Sequence, residues 1–141
     1  MNKPIMYIDM DQTIVDFKTS FLKNKTNEKP YPQSEYGFFI ELPPIVHAIN
    51  SIKILEKYFD VWILSRPSVH NLLCYTEKAY WCRKHLGFDL QKKLILCTDK
   101  SLLKGDYLID DSITDGQERF EGRLIRFGSE EFPDWIETLK Y

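Results

Sequence analysis

Five short apolar runs, each free of internal proline, restrict this chain most: Ile5 to Met10, Val61 to Leu64, Leu94 to Cys97, Tyr107 to Ile109 and Leu124 to Phe127 read as strands. Between the first two, Ile45, Ile49, Ile52, Leu55 and Phe59 recur at spacings of four and three. That is the stripe of a helix with one apolar side, starting after Pro43-Pro44. A second helix is predicted from about Asn71 to Leu86, with Tyr75, Ala79, Cys82 and Leu86 in register and Gly87 at the place of a left-handed C-cap. A short last helix, Trp135 to Leu139, follows Pro133. Strands alternating with helices predict an α/β chain with a Rossmann-like parallel sheet, helices on both faces, and ligands at the carboxyl ends of the strands. With 141 residues, 43% of them apolar, one domain over 1–141 can bury about two-thirds of its unfolded surface.

One connection breaks the alternation. Phe17 to Pro44 is 28 residues holding four of the seven prolines, the lysines 18, 23, 25 and 29, and six aromatics: Phe17, Phe21, Tyr31, Tyr36, Phe38 and Phe39. A connection of that length without periodicity predicts a small cap or lid inserted at about 17–44. Its aromatics fit two roles, a small lid core or a stacking surface for a base, with Tyr36, Phe38 and Phe39, near the return to the sheet, the first candidates for the second.

Composition narrows the partners. Lys plus Arg number 19 against Asp plus Glu 21, a net charge of −2, which offers no basic field for duplex nucleic acid. Apolar runs of only a few residues predict no membrane span, and Met1-Asn2-Lys3-Pro4 leads into a strand instead of a signal-peptide core. Cys74, Cys82 and Cys97 form no C-x-x-C pair and leave one thiol over, which suits core thiols in a reducing, cytoplasmic setting. The sequence is silent on oligomeric state and leaves a homo-oligomer open.

The chemistry lies where the strands end: Asp9-Met10-Asp11-Gln12-Thr13, then Ser65-Arg66-Pro67, then Asp99-Lys100, then Asp110-Asp111. The strand-end rule brings all four clusters to one crevice. Carboxylates gathered there repel by roughly 4 kcal/mol per pair at 4 Å for an effective dielectric near 20, so a cation must sit among them. Oxygen ligands without a His or Cys cluster point to Mg²⁺. Two carboxylates one residue apart can face a common centre with different neighbours and hence different pKa values. Asp9 can then attack phosphorus and form an aspartyl phosphate while Asp11 protonates the leaving oxygen and later activates water. Ser65 with its neighbouring amides can hold phosphoryl oxygens, Lys100 adds a fixed positive charge to balance the developing one, and Arg66 can add a bidentate phosphate contact.

In this order the clusters resemble the motifs of the haloacid dehalogenase-like (HAD-like) phosphohydrolases: D-x-D-x-[TV], a strand ending in Ser/Thr, a Lys, and a strand ending in an acidic pair. Asp9-Met10-Asp11, Glu77-Lys78 to Trp81, Asp99-Lys100-Ser101 and Leu108-Ile109-Asp110-Asp111 look like the 5'(3')-deoxyribonucleotidase branch, over nearly all of the chain except the insertion. The resemblance implies a HAD-like fold and a nucleotide-metabolising, Mg²⁺-dependent hydrolase acting on a small-molecule phosphate monoester, a deoxyribonucleoside monophosphate. It makes Asp9 the nucleophile, Asp11 the acid/base, and Ser65 and Lys100 phosphate binders. Asp9, Asp111 and the backbone carbonyl of Asp11 become the metal's ligands, with Asp110 in support. Gln12 stands where the family's loop commonly has Gly, which predicts a backbone that needs no positive φ, and the insertion is shorter than the usual cap.

Other readings fit less of the sequence. Ile14 stands where an EF-hand loop requires Gly, and the late acidic pair has the wrong order for a response-receiver domain. The same machinery on another small phosphate ester or on a 3'-phosphate nucleic-acid end stays open, and an idle binding protein of this fold is disfavoured because every catalytic position is filled. Asp16 and Asp115 read as caps or turn residues. His47, His70 and His85 lie at no ligand spacing, and Trp62, Trp81 and Trp135 read as packing residues.

Overall fold

A computed structural model describes residues 2–141. Five strands, β1 (Ile5–Ile8), β2 (Asp60–Ser65), β3 (Leu94–Leu96), β4 (Tyr107–Asp110) and β5 (Arg123–Arg126), form one sheet in the order β3-β2-β1-β4-β5. Every neighbouring pair is parallel, as the alternating pattern predicts. The chain steps outward from β1 to β3, then returns to β4 on the other side of β1. The strand order therefore reverses between β1 and β4, the place where an open parallel sheet leaves a crevice. Ile8 registers with Ile109, and the Asp9 N–H still donates to the Ile109 carbonyl at 2.9 Å. Asp9 thus leaves the sheet beside Asp110.

Period-2 alternation sorts the strand residues onto two faces. Met6, Ile8, Val61, Ile63, Ile109 and Ile125 share one core with side chains of α2 (Ala48–Leu55), α3 (Cys74–Leu86), α4 (Phe88–Gln91) and α5 (Trp135–Lys140). Tyr7, Leu64 and Leu108 form a smaller core with Phe120, and this second face carries single 3₁₀ turns, Lys100–Leu102 and Gln117–Arg119, instead of α-helices. Two fully buried tryptophans tie loops to the main core: Trp81 Nε1 donates to the Leu42 carbonyl (2.7 Å) and Trp135 Nε1 to the Thr13 carbonyl (2.9 Å). Among the described residues no helix is long and apolar enough to cross a membrane.

Several boundaries differ from the sequence reading, each for a local reason. β1 stops at Ile8 because residues 9–15 turn tightly, the N–H groups of Thr13, Ile14 and Val15 all reaching the Met10 carbonyl. α2 starts only at Ala48, after Pro43-Pro44 and a left-handed His47 (φ 69). α3 starts at Cys74 because Asn71 Oδ1 accepts from the Leu73 N–H in a local turn. Its buried stripe is Cys74, Glu77, Lys78, Trp81 and Cys82, one step around from the predicted face, and Tyr75 is exposed. Gly87 has the expected positive φ (95) but an extended ψ. Inside the insertion, α1 (Phe17–Asn24) is an unpredicted helix with no buried residue.

Candidate active site

The crevice opens into a cavity of about 960 Å³ lined by Asp9, Asp11, Arg66, Asp110, Asp111 and Asp115 on the sheet side and by Phe17, Tyr31, Gln33 and Phe39 of the insertion on the other. Asp9 follows β1, Ser65 ends β2, Lys100 opens the 3₁₀ turn after β3, and Asp110 ends β4. Parallel strands place these four ends together. The loop after Asp9 is bound internally, with Gln12 N–H donating to the Val15 carbonyl at 2.7 Å and Thr13 Oγ1 to Asp9 Oδ2 at 3.1 Å. Gln12 does take a positive φ, 63, contrary to the expectation for a non-glycine there. Its Oε1 accepts the Lys18 N–H of α1 at 2.7 Å, a tie that glycine could not make.

Three carboxylates converge: Asp9, Asp110 and Asp111 each offer an oxygen within 4.8 Å of the others. Lys100, almost wholly buried, donates to Asp9 Oδ1 at 2.8 Å and to Asp110 Oδ2 at 2.6 Å. Asp110 also takes Gln117 Nε2 on Oδ2 (3.1 Å) and the Ser112 N–H on Oδ1 (3.1 Å). Burial alone would raise the Asp9 pKa, but the Lys100 ammonium and a hydrogen bond with Asp111 outweigh it and hold Asp9 below the ordinary carboxylate range. Burial first, then the Asp9 charge, pushes Asp111 up to about 9, and the same two causes raise Asp110 to about 6. One ammonium cannot offset three carboxylates. The donor set is all oxygen and short of positive charge, which fits a hard divalent cation held chiefly by Asp9 and Asp111, Asp110 being taken up by Lys100, Gln117 and Ser112. The Asp11 side chain is not in this cluster.

Asp11 is held differently. Its Oδ2 accepts from Lys78 Nζ at 3.0 Å, and its Oδ1 is buried without a hydrogen-bond partner. Burial raises its pKa more than Lys78 lowers it. Lys78, fully buried on α3, also donates to Ser65 Oγ (2.6 Å) and to the Arg66 carbonyl (2.7 Å). It thereby joins the ends of β1 and β2. The sequence reading assigned Lys78 no role, although it shares a helix face with Cys74, Trp81 and Cys82, and a lysine on an apolar stripe signals a buried partner.

Arg66 lines the cavity, whereas two of the three lid aromatics do not. Arg66 Nη1 pairs with Asp115 Oδ1 at 2.7 Å beside the cavity, its side chain 54% exposed. Asp115, read as a turn residue, is therefore part of the site wall, and its carbonyl accepts the Lys100 N–H at 2.7 Å. Among the lid aromatics Phe39 lines the cavity, but Tyr36 and Phe38 line a separate hollow of about 540 Å³. Phe38 packs edge-on against Phe39 and Phe17, and Tyr31 and Phe17 take the cavity positions instead. Asp16 caps α1 as expected, and of the histidines only His70 reaches this lining.

Residues 29–133 match the family of 5' nucleotidase, deoxy (Pyrimidine), cytosolic type C proteins (NT5C). The chain belongs to this family. Its NT5C relatives include the "Putative 5'(3')-deoxyribonucleotidase" of Vibrio phage KVP40, 38% identical over 144 residues that cover 99% of this chain and 85% of that protein. The cytosolic 5'(3')-deoxyribonucleotidase of Homo sapiens is 35% identical over 105 residues, 73% of this chain and 47% of the human protein. This chain thus spans about half of its longer human relative. The crystal structure of the "putative HAD-hydrolase YfnB" of Bacillus subtilis, bound to magnesium, superposes with a TM-score of 0.60 at 14% identity over 95% of this chain and 90% of that one, a likeness of fold.

Proposed function

We propose that this NT5C-family chain, a single domain over 1–141 with its lid at 17–44, is a Mg²⁺-dependent phosphomonoesterase that dephosphorylates deoxyribonucleoside monophosphates through an aspartyl phosphate. The observation that carries the reading is the split between two carboxylates on one loop: Asp9 is bound by the Lys100 ammonium at 2.8 Å, which holds its pKa below the ordinary carboxylate range, while Asp11 stands apart from the acidic cluster against Lys78 with its pKa raised by burial. Asp9 forms a bond to phosphorus as the ester P–O bond breaks, and Asp11 gives its proton to the departing sugar oxygen. Asp11, now a carboxylate beside Lys78, takes a proton from water. That water attacks phosphorus, the acyl phosphate bond breaks, and Asp9 is regenerated with inorganic phosphate released. Lys78 orients Asp11 and Ser65 together, and Arg66, released from Asp115, can reach a phosphoryl oxygen. A bound Mg²⁺, held by Asp9, Asp111 and the Asp11 carbonyl with Asp110 in support, supplies charge neutralisation that lets an anionic nucleophile meet an anionic phosphate. The names of the relatives support a nucleotide substrate, and the free thiols and the cytosolic human relative support a cytoplasmic setting. Hydrolysis rates for deoxynucleoside monophosphates, ribonucleotides, sugar phosphates and 3'-phosphate ends, each with Mg²⁺ and with chelator, test it. Mg²⁺-dependent turnover highest for deoxynucleotides is expected, and faster turnover of compounds without a base would contradict it.

A further inference from the structure

Gln33 is held in place by its backbone alone. It lies in the 3₁₀ turn Pro32–Ser34, and its carbonyl accepts from Ser68 Oγ and from Asn71 Nδ2, both at 3.4 Å. These bonds fix the turn to the loop that follows β2. The side-chain carboxamide has a different standing: its Oε1 is buried with no hydrogen-bond partner, and the residue lines the same cavity as Asp9 and Asp11. A polar atom shielded from water and left unpaired is unfavourable, and native chains rarely keep one without a use. Among the described residues the only other such side-chain atom is Asp11 Oδ1, in the same cavity. Both orphaned oxygens therefore belong to residues that line one ligand space, where a small rotation of the Gln33 side chain would present its carboxamide to a substrate.

We propose that Gln33 is a specificity-determining residue that pairs with the edge of the substrate's base. This rests on the nucleotidase reading above. A carboxamide offers an acceptor and a donor side by side, and nucleobase edges present the complementary pair of N–H donor and oxygen or ring-nitrogen acceptor, so two hydrogen bonds form at once. The carboxamide can rotate by half a turn to suit either order, so it selects for the presence of a base more than for one base. Tyr31, two residues earlier, lines the same cavity and is 67% exposed, which offers a ring on which the base can stack. A phosphate ester without a base leaves Gln33 unpaired and gains nothing from it.

The test compares wild type and Gln33→Leu, as the whole chain with Mg²⁺, on the four deoxynucleoside 5'-monophosphates and on 2-deoxyribose 5-phosphate. Leucine keeps the apolar bulk and removes both polar atoms. The expected result is a loss of about 5- to 150-fold in kcat/KM for the nucleotides, mostly through KM, with the sugar phosphate unchanged. The sugar phosphate reports on folding and on the catalytic centre, which Gln33 does not touch. Equal losses on both substrate types would make Gln33 a structural residue and overturn the proposal, as would an undiminished preference for nucleotides in the variant. A wild type with no preference for nucleotides would overturn the nucleotidase reading itself, and this proposal with it.

Discussion

Lys78 shows what one buried charge does at this site. Its ammonium touches Asp11, Ser65 and the Arg66 carbonyl, and among the neighbours of Asp11 it is the main influence lowering a pKa that burial raises. Lys78→Met should raise the Asp11 pKa further, because the ammonium that opposes the effect of burial is gone. On the proposed mechanism, the limb of the kcat/KM profile that requires Asp11 protonated should then move to higher pH, while overall turnover falls because the second half-reaction would use deprotonated Asp11. An unmoved limb would reduce Lys78 to a packing role. The difference between Lys78 and the strand-end residues explains what could be read from the sequence. Asp9, Asp11, Ser65, Lys100, Asp110 and Asp111 stand at or just past strand ends, where parallel pairing alone collects them. Lys78 sits mid-helix, and two charged residues, Glu77 and Lys78, within its apolar stripe shifted the predicted face by one position. Arg66 and Asp115 pair with each other across two loops, a contact that periodicity does not encode.

At the scale of elements, one carboxylate anchors the returning part of the insertion to the sheet domain. Glu77 of α3, almost wholly buried, accepts the N–H of Gly37 and of Phe39 at 3.0 Å each, and Asn71 Nδ2 lies 3.3 Å from its Oε2. Together with Trp81 on Leu42, this fixes the lid's returning segment and sets Phe39 against the cavity. Glu77→Ala leaves two backbone donors without partners and should destabilise the chain by about 2–3 kcal/mol, read from urea midpoints. Amide exchange at Gly37 and Phe39 should accelerate more than in β1. Unchanged exchange at those two amides would show that the lid is held elsewhere. The insertion is recognisable as one from its length and prolines, but its internal order is not: α1 buries no residue, and its apolar residues are only Phe17, Phe21 and Leu22. Tyr36 and Phe38 stand near the return in sequence. The chain turns at Gly37 (φ 90), and they line the other hollow, away from Asp9 and Asp11.

For the whole molecule, the acidic cluster links stability to pH and to metal. Asp110 and Asp111 hold protons more tightly in the folded chain, at about 6 and about 9, than an unfolded carboxylate does near 4. Their contribution is complete below pH about 4 and is lost as pH rises through those two values. Asp9, shifted the other way, loses its contribution only on acidification and is constant across this window. A divalent cation that binds the cluster displaces the protons and reverses the loss. The melting temperature in chelator should therefore fall from pH 5 to pH 9, and the gain on adding Mg²⁺ should widen over the same range; a gain independent of pH would place the ion elsewhere. The central claim is that Asp9 is the group that attacks phosphorus. It is tested most directly by the rate of phosphate release from a deoxynucleoside monophosphate by wild type and by Asp9→Asn, both with saturating Mg²⁺ and both shown to be folded. An amide cannot form the acyl phosphate, so the account predicts no turnover above background in the variant, and a rate near that of wild type would contradict it.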